Sequence, residues 1–314
     1  MTAKILVTGG CGFIGTWVLR ELLSQGLSPI AFDLRRDDDR WQRILGSDAQ
    51  RIPFVAGTLC DRELLSGLVK EHKVTHIIHL AALLTPQCQQ NPYEGCEVNI
   101  LGSVALFELA RLNPGQVRGI SYASSYAVYG PEADDAIQGM KAADNRPPSF
   151  YGAFKMAVDL IADQYWRHFQ IASVGIRPHV VFGPERTVGL TAAPSQAVRA
   201  AVRGEPWSIN YRGRVGYDYV EDVALAFVRS ALETSPGSTI VDLPGPMATT
   251  EEFAAIIDRV IPGSGNQISV SGAAIPANIP PKPNYISSLF PDWQPTSIEE
   301  GVRRTADFYR KQIA

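Results

Sequence analysis

An α/β fold, a doubly wound parallel sheet with a smaller C-terminal substrate-binding lobe, is predicted by three observations on this 314-residue sequence. Short apolar runs alternate with amphipathic stretches through the first half. Those runs are apolar almost throughout, as strands covered on both faces must be. After about residue 180 the strand candidates shorten and the loops gain proline and glycine, as in "AAIPANIPPKP" (273–283). Strand–helix–strand alternation implies a parallel sheet with right-handed crossovers.

In chain order, "KILVTG" (4–9), "SPIAFD" (28–33), "RIPFVAG" (51–57), "VTHIIHLAA" (74–82) and "VRGISYAS" (117–124) read as strands. Residues 13–25, 61–71 and 94–112 between them carry helical patterns. A further helix, 151–169, follows a long loop and repeats apolar residues at helical spacing, among them Phe154, Val158, Ile161, Ala162, Tyr165 and Phe169. "PWSIN" (206–210), "YDYV" (217–220) and "TIVDL" (239–243) are the short strands expected later, and "RRDDDR" (35–40) reads as a solvated loop.

Composition narrows the function. Hydrophobic residues make up 45% and the net charge is −3, with basic residues scattered, so neither a nucleic-acid nor a membrane surface is expected. No apolar run approaches the roughly 20 residues of a membrane span, and no secretory leader pattern is present. Cys11, Cys60, Cys88 and Cys96 form no C-x-x-C pair and there is no H-E-x-x-H, so no metal site is expected. Reduced thiols and a cytoplasmic location are the simpler reading.

"VTGGCGFIG" joins the first strand to the first helix and satisfies G-x-G-x-x-G with Gly10, Gly12 and Gly15, and G-x-x-G-x-x-G with Gly9, Gly12 and Gly15. Glycine adopts the positive φ of such a turn at little cost. Without side chains, the backbone N–H groups can approach a pyrophosphate at a helix N-terminus. Asp33 ends the second strand, where a carboxylate holds the ribose hydroxyls of NAD and repels a 2′-phosphate. Arg35 and Arg36 are the features that would suit NADP; NAD is expected. Cys11 reads as packing. The expected division is a Rossmann-type NAD-binding domain over 1–178, rejoined by about 211–245, with 179–314 mainly the substrate-binding lobe.

"YGAFK" places Tyr151 and Lys155 four residues apart on one helical face. A free tyrosine, with a pKa of about 10, is a poor base near neutrality. A neighbouring ammonium stabilises the phenolate, so Tyr151 can take a proton from a substrate hydroxyl as hydride leaves for the cofactor.

From "TGGCGFIG" through "HLAA", "NPYEGCEVNILGS", "SSYAVYG" and "YGAFK" to "IRPHVVFGP" and "YDYVEDVA", the chain resembles an extended short-chain dehydrogenase/reductase of the NAD-dependent epimerase/dehydratase family. The resemblance implies that Ser125 hydrogen-bonds the reacting oxygen, Tyr151 is the acid/base and Lys155 its partner. It implies a cofactor cleft formed by the glycine loop with Phe13 and Ile14, by Asp33 and Leu34, by Thr58 and Leu59, and by Leu80, Ala81, Ala82, Ala123 and Pro178. Asn99 stands either near the nicotinamide end or as a helix amide satisfied by backbone. Thr58 replaces the aspartate common in the family, and Asp61 is expected to cap the next helix.

Dehydratases of the family carry an aspartate–glutamate pair just after the serine or threonine; this chain has Tyr126 and Ala127. Without a carboxylate there, elimination and decarboxylation lack a local proton acceptor. Three nucleotide-sugar diphosphate anchors also differ: Val180 stands at the asparagine of R-P-x-N, Val215 at an arginine position beside Arg214, and Lys282 at a C-terminal arginine position. The leading reading is therefore an NAD-dependent dehydrogenase of a sugar, sugar acid or related polyol. The alternatives are a nucleotide-sugar 4-epimerase that retains NAD, and a non-catalytic dinucleotide sensor.

Tyr126, His179, Val180, Arg186 and Thr191 are the substrate-side candidates, with Glu185, Thr187 and Ser195 nearby. Arg186 reads as a carboxylate anchor or a surface arginine, and His179 as a substrate contact or a satisfied buried histidine. Tyr126 would stack on a sugar or fill the interior, and Tyr129 belongs to the framework. Relatives pair through helices 94–112 and 151–169, which implies a homodimer.

Overall fold

The computed structural model describes residues 3–130, 147–275 and 283–313, with side chains. The chain opens with β1 (Lys4–Thr8), α1 (Phe13–Ser24), β2 (Ser28–Asp33), α2 (Asp38–Leu45), β3 (Phe54–Ala56), α3 (Arg62–Glu71) and β4 (His76–His79). Next come α4 (Thr85–Gln90), α5 (Pro92–Cys96), a π-helical turn (Glu97–Leu101), α6 (Gly102–Leu112), β5 (Gly119–Ala123), α7 (Phe150–Phe169) and β6 (Ser173–Arg177). The remainder holds β7 (Val180–Phe182), α8 (Ala193–Arg203), β8 (Trp207–Ile209), β9 (Arg214–Tyr219), α9 (Val220–Leu232) and β10 (Ser238–Asp242). It ends with β11 (Met247–Thr249), α10 (Thr250–Val260), β12 (Ile268–Val270) and α11 (Ile298–Ile313).

Two compact units result. The first comprises Met1–Arg177, Ala224–Asp242 and Pro280–Asn284; the second comprises Pro178–Val223, Leu243–Ile279 and Tyr285–Ala314. The first contains a seven-stranded sheet in the order β10-β6-β5-β4-β1-β2-β3, parallel in every pairing. The order reverses between β1 and β4, and ligands of such sheets bind at the carboxyl ends of the strands flanking that reversal. β4 and β6 are buried at every position and β1 at all but its first, which explains their unbroken apolar runs. The stretch that returns to this sheet is 224–242. Residues 211–223, expected with it, stay in the second unit, because β9 pairs there with β7 and β11.

The charged run at 35–40 is not a loop throughout. Asp37 accepts from Arg40 N and caps α2, Asp38 and Asp39 suit the helix N-terminus, and Trp41, Ile44 and Leu45 bury the other face. The helix expected over 94–112 is instead α5, the π turn and α6 in succession.

The second unit has a three-stranded sheet, β11-β9-β7, and a parallel pair, β12-β8. Its centre is aromatic: Phe182 meets Phe253 edge-on at 5.4 Å, and Tyr217 lies 4.6 Å from Phe253. Among the described residues no helix is long and apolar enough to cross a membrane, and no group of three or more metal-ligating side chains occurs.

One buried relay fixes the centre of the first unit. His79 Nδ1 lies 2.8 Å from Thr8 Oγ1, and Nε2 lies 2.9 Å from Ser103 Oγ. Ser103 donates its only proton to Asn99 O at 2.6 Å, so it accepts from His79 Nε2–H, and Nδ1 accepts from Thr8. Burial, aided by the Lys155 charge, holds the ring's pKa down to about 3, so it is neutral with its one proton on Nε2. Below pH 6.5, its ordinary value, the unfolded chain takes up a proton that the folded chain refuses, so stability declines with acidification. Between the two values the wild-type protein is expected to lose about 1.4 kcal/mol per pH unit more than His79→Gln. Chemical denaturation across that range measures the slope; equal slopes would show that the relay does not exclude the proton.

Candidate active site

The glycine loop is held from three sides. Gly9 has φ +71°, and a Cβ there would stand 2.7 Å from Ala81 N, so only glycine brings the loop this close to the segment after β4. Gly15 packs on Gly9 O with no room for a side chain. From α2, Arg40 donates to Cys11 O at 2.8 Å and Trp41 Nε1 to Gly10 O at 3.3 Å. Phe13 and Ile14 open α1 and are half-buried. Gly12, the residue before α1, provides no side-chain cap, and the first turn holds no acid, so these amides suit an anion. Burial pushes the Cys11 thiol up to about 11, which leaves it a neutral packing group.

Asp33 faces this loop. Its Oδ2 accepts from Cys11 N at 3.0 Å and its Oδ1 from Leu34 N at 2.8 Å, and each oxygen retains further acceptor capacity. Arg36 pairs with Asp38 at 2.7 Å and lies 4.6 Å over the Trp41 ring, so it is engaged away from Asp33. Leu34 and Thr58 are exposed, the latter accepting from Cys60 N at 3.3 Å. Leu59 is buried in the core against Gly102, under α6. Asp61 caps α3 through Leu64 N at 3.0 Å.

The end of β5 and the start of α7 bring the serine, tyrosine and lysine segments together. Ser149 caps α7 through Gly152 N at 3.1 Å. Gly152 packs directly on Ala127 O, which docks the Tyr151 turn against the short 3₁₀ turn opened by Ser125. Ser125 Oγ accepts from Ala127 N at 3.1 Å, leaving its proton available to another acceptor. Lys155 donates from Nζ to Ala123 O at 2.6 Å, and Nζ stands 5.6 Å from the Tyr151 ring centre. Burial lowers the lysine to about 8, against the upward pull of Asp159 and then Cys88. Tyr126 is buried edge-on against Tyr129 at 5.4 Å.

The segment after β4 is fixed to the π turn. Asn99 accepts from Leu83 N at 2.8 Å and donates to Leu83 O at 2.9 Å, so its amide is satisfied by backbone. Leu80 N donates to Thr8 O at 3.1 Å and Ala81 N to Thr8 Oγ1 at 3.4 Å, which aligns Leu80, Ala81 and Ala82 beside Gly9.

The substrate-side candidates lie in the second unit, apart from Ser125 and Tyr126. Pro178 and Val180 are buried. His179 Nδ1 accepts from Gly216 N at 2.8 Å and its own N donates to Asp218 at 2.7 Å; burial lowers the ring to about 4. Its Nδ1 therefore acts as an acceptor in the sheet between β7 and β9. Arg186 donates to Thr191 Oγ1 at 2.8 Å. Glu185 N donates to Tyr309, and Ser195 accepts from Gly183 N. Val215 is buried, and Arg214 pairs with Glu252 at 3.3 Å. Lys282 lies outside the described residues.

Sequence reading assigns no role to Ser124, Asp159 or Arg177. In the structure Ser124 donates to Asp159 Oδ2 at 2.9 Å, and Arg177 grips the same oxygen through Nη2 at 2.6 Å and Nε at 3.1 Å. The available signal was a carboxylate one turn beyond Lys155, on the helical face that the apolar residues occupy.

The profile of the "NAD dependent epimerase/dehydratase family" matches residues 5–241, more than half of the chain. The UDP-glucose 4-epimerase of Mycolicibacterium smegmatis is 28% identical over 327 aligned positions, spanning 98% of this chain and 99% of that enzyme. UDP-glucuronate 4-epimerase 4 of Arabidopsis thaliana is 31% identical over 250, covering 75% of this chain and 55% of that protein. A Thermotoga maritima UDP-glucose 4-epimerase structure with UDP-glucose superposes with a TM-score of 0.81 at 21% identity, over 99% and 100% of the two chains. The Thermus thermophilus UDP-glucose 4-epimerase complex with NAD gives 0.78 at 24% identity, over 98% and 99%.

The loop fits NAD: uncapped amides at α1 suit the pyrophosphate, and Asp33 suits the ribose hydroxyls. Asp33→Ser is expected to weaken NAD about 10–100-fold, the loss of bonds to a charged acceptor, and to narrow the NAD:NADP affinity ratio. Fluorescence titration with both cofactors measures this; an unchanged ratio would remove Asp33 from cofactor choice. The matched profile, the Rossmann-type sheet and the cofactor loop lead to one conclusion: the chain belongs to the NAD dependent epimerase/dehydratase family and is an enzyme that uses NAD.

Proposed function

We propose that this chain is an NAD-dependent nucleotide-sugar epimerase that inverts a secondary carbinol, C4 by similarity, through a transient ketone. The carrying observation is the arrangement of Ser125, Tyr151 and Lys155 at the end of β5, together with end-to-end similarity to an enzyme named UDP-glucose 4-epimerase. This reading replaces simple dehydrogenation as the first choice. Absence of acids at Tyr126 and Ala127 still argues against elimination.

NAD, when bound, supplies the acceptor and later the donor of hydride. Tyr151 takes the hydroxyl proton as the carbinol is oxidised and returns it on reduction of the opposite face. The Lys155 ammonium, buried below the Tyr151 ring, lowers the cost of the phenolate. Ser125 donates to the substrate oxygen and fixes its position. The glycine loop and the Leu80–Ala82 segment hold the dinucleotide.

Val180 and Val215 are buried and Arg214 is paired, so the diphosphate needs other donors. Arg186, braced by Thr191, is the proposed anion contact. The same observations favour a second reading, a dehydrogenase of a free sugar or sugar acid. Leu101, Leu112, Phe150, Leu160 and Phe169 expose apolar surface around α6 and α7, which supports a homodimer through these helices.

Incubation with NAD and a panel of UDP-sugars and free sugars separates the readings. Interconversion of C4 epimers without net NADH is expected. Stoichiometric NADH from a free sugar acid, with no interconversion, would establish the second reading instead. Tyr151→Phe is expected to reduce turnover about 10²–10⁴-fold and leave NAD affinity within a factor of two or so. Retained turnover would refute the assigned role.

A further inference from the structure

Behind the proposed catalytic groups lies a buried chain of charges that the hydride chemistry does not itself require. Asp159 is on the same helix as Tyr151 and Lys155, one turn after the lysine. Its Oδ2 receives the Ser124 hydroxyl at 2.9 Å and two Arg177 donors at 2.6 and 3.1 Å. Arg177 Nη1 also donates to Tyr129 OH at 2.6 Å, and that hydroxyl donates to Asp242 Oδ1 at 2.9 Å. Asp242 Oδ2 accepts from Asn284 N at 3.1 Å. Asp159 is 3% exposed and Arg177 8%.

Such a pair gains little net stability over apolar packing, because desolvation offsets much of the attraction. Its placement points to another use. Ser124 is gripped at both ends, its N donating to Ile176 O at 2.8 Å and its hydroxyl to Asp159, and the next residue is Ser125. The Lys155 ammonium donates to one carbonyl, that of Ala123, and Asp159 is the first carboxylate to act on it.

We propose that Asp159, held by Arg177, is a positioning residue: it fixes Ser125 through Ser124 and supplies the counter-charge that keeps Lys155 an ammonium beneath Tyr151. The function of the pair rests on the reaction assigned above; the electrostatic link between Asp159 and Lys155 does not. The titratable and charged groups facing Asp159 and Lys155 are Tyr151 from α7, Cys88 from α4, His79 from β4, Tyr122 from β5, Arg177 from β6 and Asp242 from β10. His79 is neutral, and burial raises both the Cys88 thiol and the Tyr122 hydroxyl. Burial pushes the Asp159 carboxyl upward as well, against the Arg177 charge and the hydrogen bonds from Arg177 and Ser124. Held by those donors, its carboxylate is the anion one helical turn from the lysine.

The sign follows directly. Burial already lowers Lys155 to about 8 while Asp159 pulls it upward. In Asp159→Asn that pull is gone, so the ammonium survives only at lower pH. The alkaline limb of the kcat profile should move down by about one pH unit, with kcat at pH 7.5 reduced about threefold. Asp159→Glu should restore the limb in part. A purely structural role would lower thermal stability or NAD affinity without moving the limb.

A second readout needs no substrate. In protein labelled at lysine Cε with ¹³C, the Lys155 resonance, assigned by its loss in Lys155→Arg, should titrate at a lower midpoint in Asp159→Asn. The double variant Asp159→Asn/Arg177→Met avoids a stranded buried cation and should shift the midpoint in the same direction. An unchanged midpoint in either folded variant overturns the proposal. A shifted midpoint with no turnover of any sugar by the wild type would instead retire the epimerase reading and leave the electrostatic link between Asp159 and Lys155 standing.

Discussion

A lysine ammonium withdrawn from water at the end of β5 is the constraint that organises the first unit. Lys155 has one carbonyl in front of it and the Tyr151 ring above it. Left there alone, it would shed its proton, because a buried charge without compensation is costly. Asp159 supplies compensation, but brings its own desolvation, which Arg177 and Ser124 then meet. Each buried charge thus calls for the next, and the series ends where Asp242 accepts from Tyr129 and the Asn284 backbone amide. The position of Ser125 is a by-product of this balance.

On the other side of the same sheet reversal, the cofactor loop is fixed by different physics. Neutral hydrogen bonds run from Ala81 N through Thr8, His79 and Ser103 to the π turn at Asn99. The Lys155 charge helps to keep His79 neutral, and the neutral tautomer gives the relay its direction. α2 closes the loop from outside with Arg40 and Trp41. The loop therefore meets its ligand already shaped, which reduces the ordering cost of binding.

The elements that position the site were largely readable from sequence, because each follows from a local rule. Strands buried on both faces show as continuous apolar runs, and Gly9, Gly12 and Gly15 mark a turn few other residues can make. Tyr151 and Lys155 share a face by helical spacing alone. Other features depend on partners distant in the chain. The "RRDDDR" segment looks solvated until Trp41, beyond its end, is seen to bury under the glycine loop. Asp159 looks like an ordinary helix acid until β6 delivers Arg177 beside it. Asn99 carried two readings, and only the fold shows Leu83 opposite its amide. The second unit was least legible, since β7, β8, β11 and β12 are three residues each, too short for periodicity to register.

Arg177, Asp242 and Asn284 have a further property in common: each is the last residue of the first unit before the chain passes into the second. Three of the junctions therefore leave from one hydrogen-bonded cluster. This matters for recombination. Segments 178–223, 243–279 and 285–314 form the second unit, and the three residues that precede them are already joined by hydrogen bonds through Tyr129 and Asp242. A chimera cut after these three residues keeps that cluster intact. One cut a single residue earlier at Arg177 or Asp242 must import that side chain from its donor, and an acid or a guanidinium without its partner would then be stranded behind Lys155.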